Sequence, residues 1–323
     1  MDIFEELKNE FPKLEKEVML KNYTTFRIGG LAKYFLRTSD RKELKKIIER
    51  AIKENIKFLV IGGGSNTLFS SEGFDGLVVI YKIDNVKERP LIENKGGDLF
   101  KIDATITLSS LIMEMKGFSG LEWGVGIPGT LGGAINGNTG AAGESVSDSI
   151  ESVDVLEIKD GEVLEKIFKN RECCFGYRTS IFKNNHDLLI ISANLKLAKG
   201  NEKEIQERIK INLERRKAKQ PKGFSAGSVF KNYNGKIDES IILNYPELKS
   251  FNEKTYIPAG LLIELSELKG KQIGDAKISE EHANFIINLG NATSDDVMSL
   301  INLIKKTVKE KFSVDLIEEI KIF

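Results

Sequence analysis

The sequence predicts an α+β or mixed α/β fold in two or three subdomains. Three observations carry this reading. Short apolar runs of strand length alternate with stretches of helical spacing along a chain of 323 residues, long enough for more than one core. Two loops are unusually rich in glycine, one of them directly after an apolar strand. The texture changes at Pro221, after a basic cluster, so residues 220–323 read as a separate part.

Taken in order, residues 2–18 carry apolar side chains at helical spacing (Ile3, Phe4, Leu7, Phe11, Leu14) and predict an N-terminal helix. Residues 21–39 read as short strands around the turn Gly29-Gly30. Ser39 or Asp40 caps a helix over 41–54, whose apolar face is Leu44, Ile47, Ile48 and Ile52. Strands follow at 58–61 and 77–81. Residues 84–98 are polar and turn-like, a hairpin or surface excursion. Residues 108–115 are helical, and strands recur at 152–158, 163–168 and 188–197. A helix over 201–218 ends in Arg215-Arg216-Lys217. Beyond Pro221 come a helix near 258–268, an alternating strand with Phe285 and Ile287, a helix over 294–311 and a last strand at 315–322.

Composition excludes several function classes. Lys+Arg and Asp+Glu are both 48, so no general attraction to nucleic acid or membrane is expected. No apolar stretch approaches a membrane span and no signal peptide is visible, so the expected compartment is the cytoplasm. The two cysteines, Cys173 and Cys174, are adjacent; they give neither a disulfide framework nor a zinc site, and no metal is expected. With two histidines, His186 and His282, a mechanism built on several histidines is excluded.

The chemistry concentrates in the loops. Residues 124–143 read GVGIPGTLGGAINGNTGAAG, with eight glycines. Glycine lets backbone amides approach a ligand, and successive amides form a nest suited to a diphosphate. Residues 124–129 match G-x-G-x-x-G, but the preceding segment is too short for the strand that a dinucleotide fold requires, and Pro128 sits inside the turn. The plain alternative is a set of tight turns. The second loop, Ile61-Gly62-Gly63-Gly64-Ser65-Asn66, follows a strand and adds two polar side chains; it reads as a phosphate cradle or a glycine-rich hairpin turn. Two such loops point to a large phosphate-bearing cofactor. Arg178, in Tyr177-Arg178-Thr179-Ser180, and Ser228, among small residues, are each a turn residue or a ligand contact. Glu318-Glu319, in an apolar terminal segment, either faces solvent or is buried with a purpose.

In this order the motifs resemble one family, UDP-N-acetylenolpyruvoylglucosamine reductase. They are Thr24-Thr25-Phe26-Arg27-Ile28-Gly29-Gly30, the Gly62–Asn66 loop, residues 126–134, 177–180, 215–221, 227–232, 259–264, 268–270 and 279–285. Each alone is weak, but the ordered set spans nearly the whole chain from about Asn22.

The resemblance implies an FAD-binding half of the vanillyl-alcohol-oxidase (PCMH) type, two α/β subdomains over about 21–198, after the N-terminal helix of 1–20. A C-terminal substrate domain, 199–323 with its linking helix, completes it. The cofactor implied is FAD, held non-covalently, since the glycine loops contain no histidine or cysteine for a covalent link. NADPH is the implied co-substrate, and a monomer is expected.

FAD would be held by Gly62, Gly63, Gly64, Ser65, Asn66, Gly126, Ile127, Pro128, Gly129, Gly132, Gly133, Asn136 and Gly140. The implied catalytic residues are Arg178, holding the developing carboxylate charge, Ser228, giving the proton, and Glu319. Lys219, the arginines before it, Asn232 and His282 would serve the substrate. The short stretch after Arg178 resembles the type II subgroup. Thr139 stands where the family usually has alanine, and Tyr233 where it commonly has proline. Rival readings are a same-fold flavin oxidase or dehydrogenase and a non-enzymatic nucleotide-binding module.

Overall fold

The computed structural model describes residues 3–84 and 91–323. They form two compact units. The first takes in the chain to Val18, Ala32–Gly63 and Asp75–Ala218; the second is Met19–Leu31, Gly64–Phe74 and Lys219–Phe323.

In the first unit, α1 (Ile3–Glu10) buries Leu7. The predicted helix over 2–18 stops there because Pro12 follows and cannot donate into another turn. The chain continues as strand β1 (Glu15–Met19). Next come β2 (Leu31–Thr38), α2 (Arg41–Lys53), β3 (Phe58–Ile61) and β4 (Phe74–Tyr81). Asp40 caps α2, its carboxylate accepting the amides of Lys42 and Glu43. The four strands form one sheet in the order β1-β2-β4-β3. Its core holds Leu7, Leu36, Leu44, Ile47 and Val79.

A second core in the same unit lies on a five-stranded sheet. After β5 (Ile92–Gly96) and β6 (Leu99–Asp103) come α3 (Leu108–Glu114) and α4 (Leu131–Gly137). Then β7 (Ile150–Lys159), β8 (Glu162–Lys169) and β9 (Leu188–Lys196) lead to α5 (Glu202–Lys219). The order is β8-β7-β9-β6-β5, with every neighbouring pair antiparallel. Its core includes Trp123, Leu131, Val153 and Leu195. The hairpin expected within 84–98 is β5 with β6; the part over 85–90 lies outside the described residues.

The thiol of Cys173 is buried in this core. Burial first, then its neighbours Cys174 and Glu172, pushes it up to about 12, which keeps it protonated and inert.

The second unit packs α6 (Ala259–Leu265) and α7 (Ser294–Phe312) with the antiparallel strands β10 (Gln272–Ile273), β11 (Ala276–Ile278) and β12 (Ile286–Asn288). Thr293 and Asp296 close a reciprocal cap at the start of α7. The terminal strand is shorter than the predicted 315–322. Only Lys321–Ile322 pairs as a strand, parallel to Thr67–Leu68, while Glu318 makes a single bridge to Phe230.

These boundaries differ from 1–20, 21–198 and 199–323 at two places. Phe26, Ile28 and Leu68 share a core with Leu262 and Ile301, which puts Met19–Leu31 and Gly64–Phe74 in the second unit. Residues 202–218 of α5 lie in the first unit because their side chains bind its backbone: Asn212 Nδ2 donates to Glu122 O at 3.1 Å and Arg216 to Trp123 O and Val125 O. Neither long-range contact is visible in local sequence pattern.

Candidate active site

In the first unit the two glycine loops meet. Strand β3 runs parallel to β4 and ends at Ile61, delivering Gly62 and Gly63. A Cβ at Gly62 would lie 2.3 Å from Thr130 Oγ1, and one at Gly63 would lie 3.1 Å from Gly129 Cα. Glycine fits here because the loop runs against the Thr130 side chain at Gly62 and against the Gly129 backbone at Gly63. Thr130 is held in turn: its hydroxyl accepts the Gly133 amide at 3.2 Å and caps α4. Gly62→Ala should destabilise the apoprotein by about 1–3 kcal/mol, the usual range for an overpacked contact. Urea unfolding of the two proteins side by side checks this.

The run 124–143 is therefore not turns throughout. Seven of its residues are the helix α4, Leu131–Gly137. Three glycines hid that helix, since glycine disfavours helices by about 1 kcal/mol each. Close packing explains Gly132, whose Cβ would sit 3.1 Å from Ala104 Cβ while its amide donates to Ala104 O at 3.0 Å.

An account of the amides separates the candidate cofactor residues. Gly126 N donates to Ser109 Oγ, Ile127 N to Gly124 O, Gly132 N to Ala104 O and Gly133 N to Thr130 Oγ1. Pro128 has no amide hydrogen. These residues shape the loop rather than offer N–H groups to a ligand. Asn136 is likewise engaged: its side chain donates to Phe182 O at 3.0 Å and its carbonyl accepts Ser180 Oγ at 2.7 Å. Gly140 packs on Glu144 O, where a Cβ would lie 2.4 Å away. Thr139 acts through its backbone, donating to Ala134 O at 2.8 Å and accepting from Val146 at 2.9 Å. By contrast, the hydrogen bonds among the described residues do not use the amides of Gly63 and Gly129. Two adjoining backbones without side chains and with amides to offer suit an anionic diphosphate, so the first unit fits FAD at this point.

Arg178 also lies in the first unit, in a tight turn. Gly176 and Thr179 exchange hydrogen bonds at 3.1 and 3.2 Å, with Tyr177 and Arg178 between them. Arg178 has φ +55°, a left-handed conformation that costs a non-glycine residue about 1–2 kcal/mol. Its guanidinium lies 5.7 Å from the Tyr177 ring centroid, and Lys183 Nζ donates to its carbonyl at 3.2 Å. Glycine would relax the backbone at this position.

The second unit assembles the remaining residues. Gly64 begins it, with φ +60°, and Asn66 Nδ2 donates to Glu319 O at 3.1 Å. Lys321 N donates to Asn66 O at 2.9 Å. Residues 228–231 run between two segments. On one side Ser228 bridges Phe285 and Val229 N donates to Asn284 O at 2.8 Å. On the other, Glu319 N donates to Val229 O at 2.7 Å and Lys231 N to Ile317 O at 2.9 Å. Ser228, Glu319 and Asn66 thus belong to one backbone assembly, although they lie in three distant parts of the sequence. Glu318, the other acid of the pair, bonds Lys305 Nζ at 2.7 Å.

Asn284 organises this assembly, and its role is absent from the sequence reading. It is 4% exposed; its side chain accepts from Phe230 N at 3.0 Å and donates to Phe230 O at 2.8 Å. Its amide donates to His282 Nδ1 at 3.3 Å. Thr25 is a second omission, its hydroxyl donating to Ser225 O at 2.7 Å. Membership of a motif was the available signal for both; the contacts were not.

Asn232 Oδ1 accepts the first amide of α6, from Ala259, at 3.0 Å, and its Nδ2 donates to the Tyr256 hydroxyl. Tyr233, where proline is usual, starts a two-residue strand opposite Ile257 and lays its ring over Gly235. Lys219 is exposed. Arg216, expected beside it at a diphosphate, instead points its guanidinium at loop carbonyls of the first unit.

His282 is held below its ordinary value of 6.5, first by burial and then by the charges of Lys269 and Lys219. A base whose folded value is depressed leaves the unfolded chain binding more protons as pH falls through and below 6.5. Stability should therefore decline on acidification in that window and be flat above it. His282→Asn, which keeps an acceptor, should shrink the decline; equal pH profiles would contradict this.

Comparisons with known proteins match the chain in two parts. Residues 32–166 match the family model of an FAD binding domain, and residues 219–323 match that of the UDP-N-acetylenolpyruvoylglucosamine reductase C-terminal domain. The chain is 39% identical to the UDP-N-acetylenolpyruvoylglucosamine reductase of Caldanaerobacter subterraneus subsp. tengcongensis, over 96% of this chain and 93% of the relative. The reductase of Clostridium tetani is 35% identical over 99% and 95%. The crystal structure of the Thermus caldophilus reductase superposes with a TM-score of 0.73 at 32% identity, covering 96% of this chain and 98% of the other. With an FAD binding domain and this full-length likeness, the chain belongs to the UDP-N-acetylenolpyruvoylglucosamine reductase family.

Proposed function

We propose that this chain reduces UDP-N-acetylglucosamine enolpyruvate to UDP-N-acetylmuramate, with NADPH as electron donor and FAD as relay, in peptidoglycan precursor synthesis. It is an FAD-dependent oxidoreductase. The observation that carries the reading is the meeting of Gly62–Gly63 with Gly129–Thr130 inside the part matched by the FAD binding domain.

The cofactor would be held at Gly62, Gly63 and Gly129, with Gly64, Ser65 and Asn66 continuing the loop. When bound, FAD would supply the hydride chemistry, with NADPH as the source of electrons and the vinyl carbon of the substrate as their destination. Arg178 holds the enolpyruvyl carboxylate, whose charge grows as the neighbouring carbon becomes enolate-like; a planar, permanently charged fork suits it. Glu319 hydrogen-bonds the same group in its acid form or through water. Ser228 gives a proton to the enolate carbon. A serine hydroxyl is a weak acid, and the strongly basic enolate makes the transfer feasible. Lys219 meets the sugar-nucleotide diphosphate, and Asn232 and His282 contact other polar groups of the substrate.

NADPH and a nucleotide sugar are soluble cytoplasmic metabolites, and no helix among the described residues is long and apolar enough to cross a membrane. We assign the enzyme to the cytoplasm, as a monomer.

The test is stoichiometry. NADPH consumption should require the enolpyruvyl nucleotide and yield UDP-N-acetylmuramate one for one. Rapid oxygen consumption with an alcohol instead would favour an oxidase of the same fold.

A further inference from the structure

We propose that Arg216 is a positioning residue for FAD, acting through the loop it clamps rather than by touching the substrate diphosphate. The guanidinium of Arg216 donates from Nε to Val125 O at 3.1 Å and from Nη2 to Trp123 O at 3.2 Å. Two alternate carbonyls of one loop are thus taken by one rigid fork. Gly126, just beyond them, makes room: a Cβ there, at φ +76°, would lie 3.1 Å from Arg216 Cδ.

The fixed carbonyls propagate along the chain. With Val125 O turned to Arg216, the trans peptide sends Gly126 N–H the opposite way, to Ser109 Oγ at 3.1 Å. Ile127 N then closes on Gly124 O at 3.1 Å, and Pro128 stiffens the next step. Gly129 follows, with its carbonyl on Leu108 N at 3.0 Å and its Cα against Gly63. The carbonyls of Trp123 and Val125 are thus fixed by Arg216 at the head of a loop that ends at Gly129.

The helix end that carries Arg216 is itself anchored. Asn212 donates to Glu122 O, and the carboxylate of Glu122, only 1% exposed, takes Ser119 Oγ, Gly120 N and an ion pair with Arg208 at 3.4 Å. Burial lowers Arg216 from its ordinary value, and a guanidinium is the side chain that best keeps its charge when buried. Its partners are carbonyls rather than a carboxylate, a pairing that makes sense where loop shape is the product.

The inference rests on the FAD reading. Its test is FAD affinity of stripped apoprotein, followed by flavin fluorescence, for wild type, Arg216→Lys, Arg216→Gln and Arg208→Ala, each with apoprotein urea unfolding. Arg216→Gln should weaken FAD binding about ten- to hundredfold, the loss of hydrogen bonds from a charged donor. Arg216→Lys should fall between it and wild type, because an ammonium cannot hold both carbonyls in one plane. Arg208→Ala, which loosens the same helix without touching the glycine loop, should lose stability but keep FAD affinity within about threefold. Arg216 variants that bind FAD like wild type would overturn the proposal, as would an Arg208→Ala loss as large as that of Arg216→Gln. Wild-type protein that takes up no FAD would instead refute the functional reading.

Discussion

Ser228→Ala is expected to leave reduction of the bound flavin by NADPH at its wild-type rate and to slow the reaction with the enolpyruvyl nucleotide by about 10²–10⁴-fold, the usual contribution of a positioned acid. The asymmetry comes from where Ser228 sits. It belongs to residues 228–231, which run between Asn284–Phe285 and Ile317–Glu319 in the second unit. Hydride from NADPH needs no proton from that segment, whereas completing the lactyl ether does. The substitution removes one oxygen from a half-buried side chain, and the backbone bridge to Phe285 does not depend on it, so folding should be intact. Stopped-flow absorbance separates the two halves. Equal slowing of both would mean that Ser228 shapes the pocket instead of giving the proton.

The second large effect is at Arg178. Arg178→Lys should lose about 10²–10³-fold in turnover, because lysine keeps the charge but not the fork that matches a carboxylate. Arg178→Gly should lose at least as much and yet be no less stable than wild type. The position has φ +55°, so glycine relieves about 1–2 kcal/mol of backbone strain in the native state, offset by the extra freedom it gives the unfolded chain. A stability-neutral variant with no activity would identify this arginine as retained for chemistry. A strongly destabilised Arg178→Gly would show that the side chain holds the turn together.

Local pattern made much of the fold legible. The cap at Asp40, the strand before Gly62 and the apolar faces of α2 and α7 are all set by neighbours within a few residues. The glycine loop after β3 was legible for a physical reason: a backbone that must touch Gly129 and Thr130 leaves a visible trace in composition. Helix α4 was not legible, because packing on Ala104 overrides the poor helix propensity of its glycines. The fate of α5 was hidden too. Its basic end reads as a phosphate site, and only the distant carbonyls of Trp123 and Val125 show that Arg216 is already engaged. Asn284 illustrates the same limit: a residue whose buried side-chain amide pairs with Phe230, and whose backbone N–H donates to His282, looks in sequence like any polar loop residue.

One measurement tests the central claim most directly. The flavin of the purified protein is reduced with NADPH in the absence of oxygen, UDP-N-acetylglucosamine enolpyruvate is added, and the visible flavin absorbance is followed. Prompt return of the oxidised spectrum is the predicted result, since no other electron acceptor is present. Flavin that stays reduced in folded protein would contradict the assignment of this chain as the enolpyruvyl reductase.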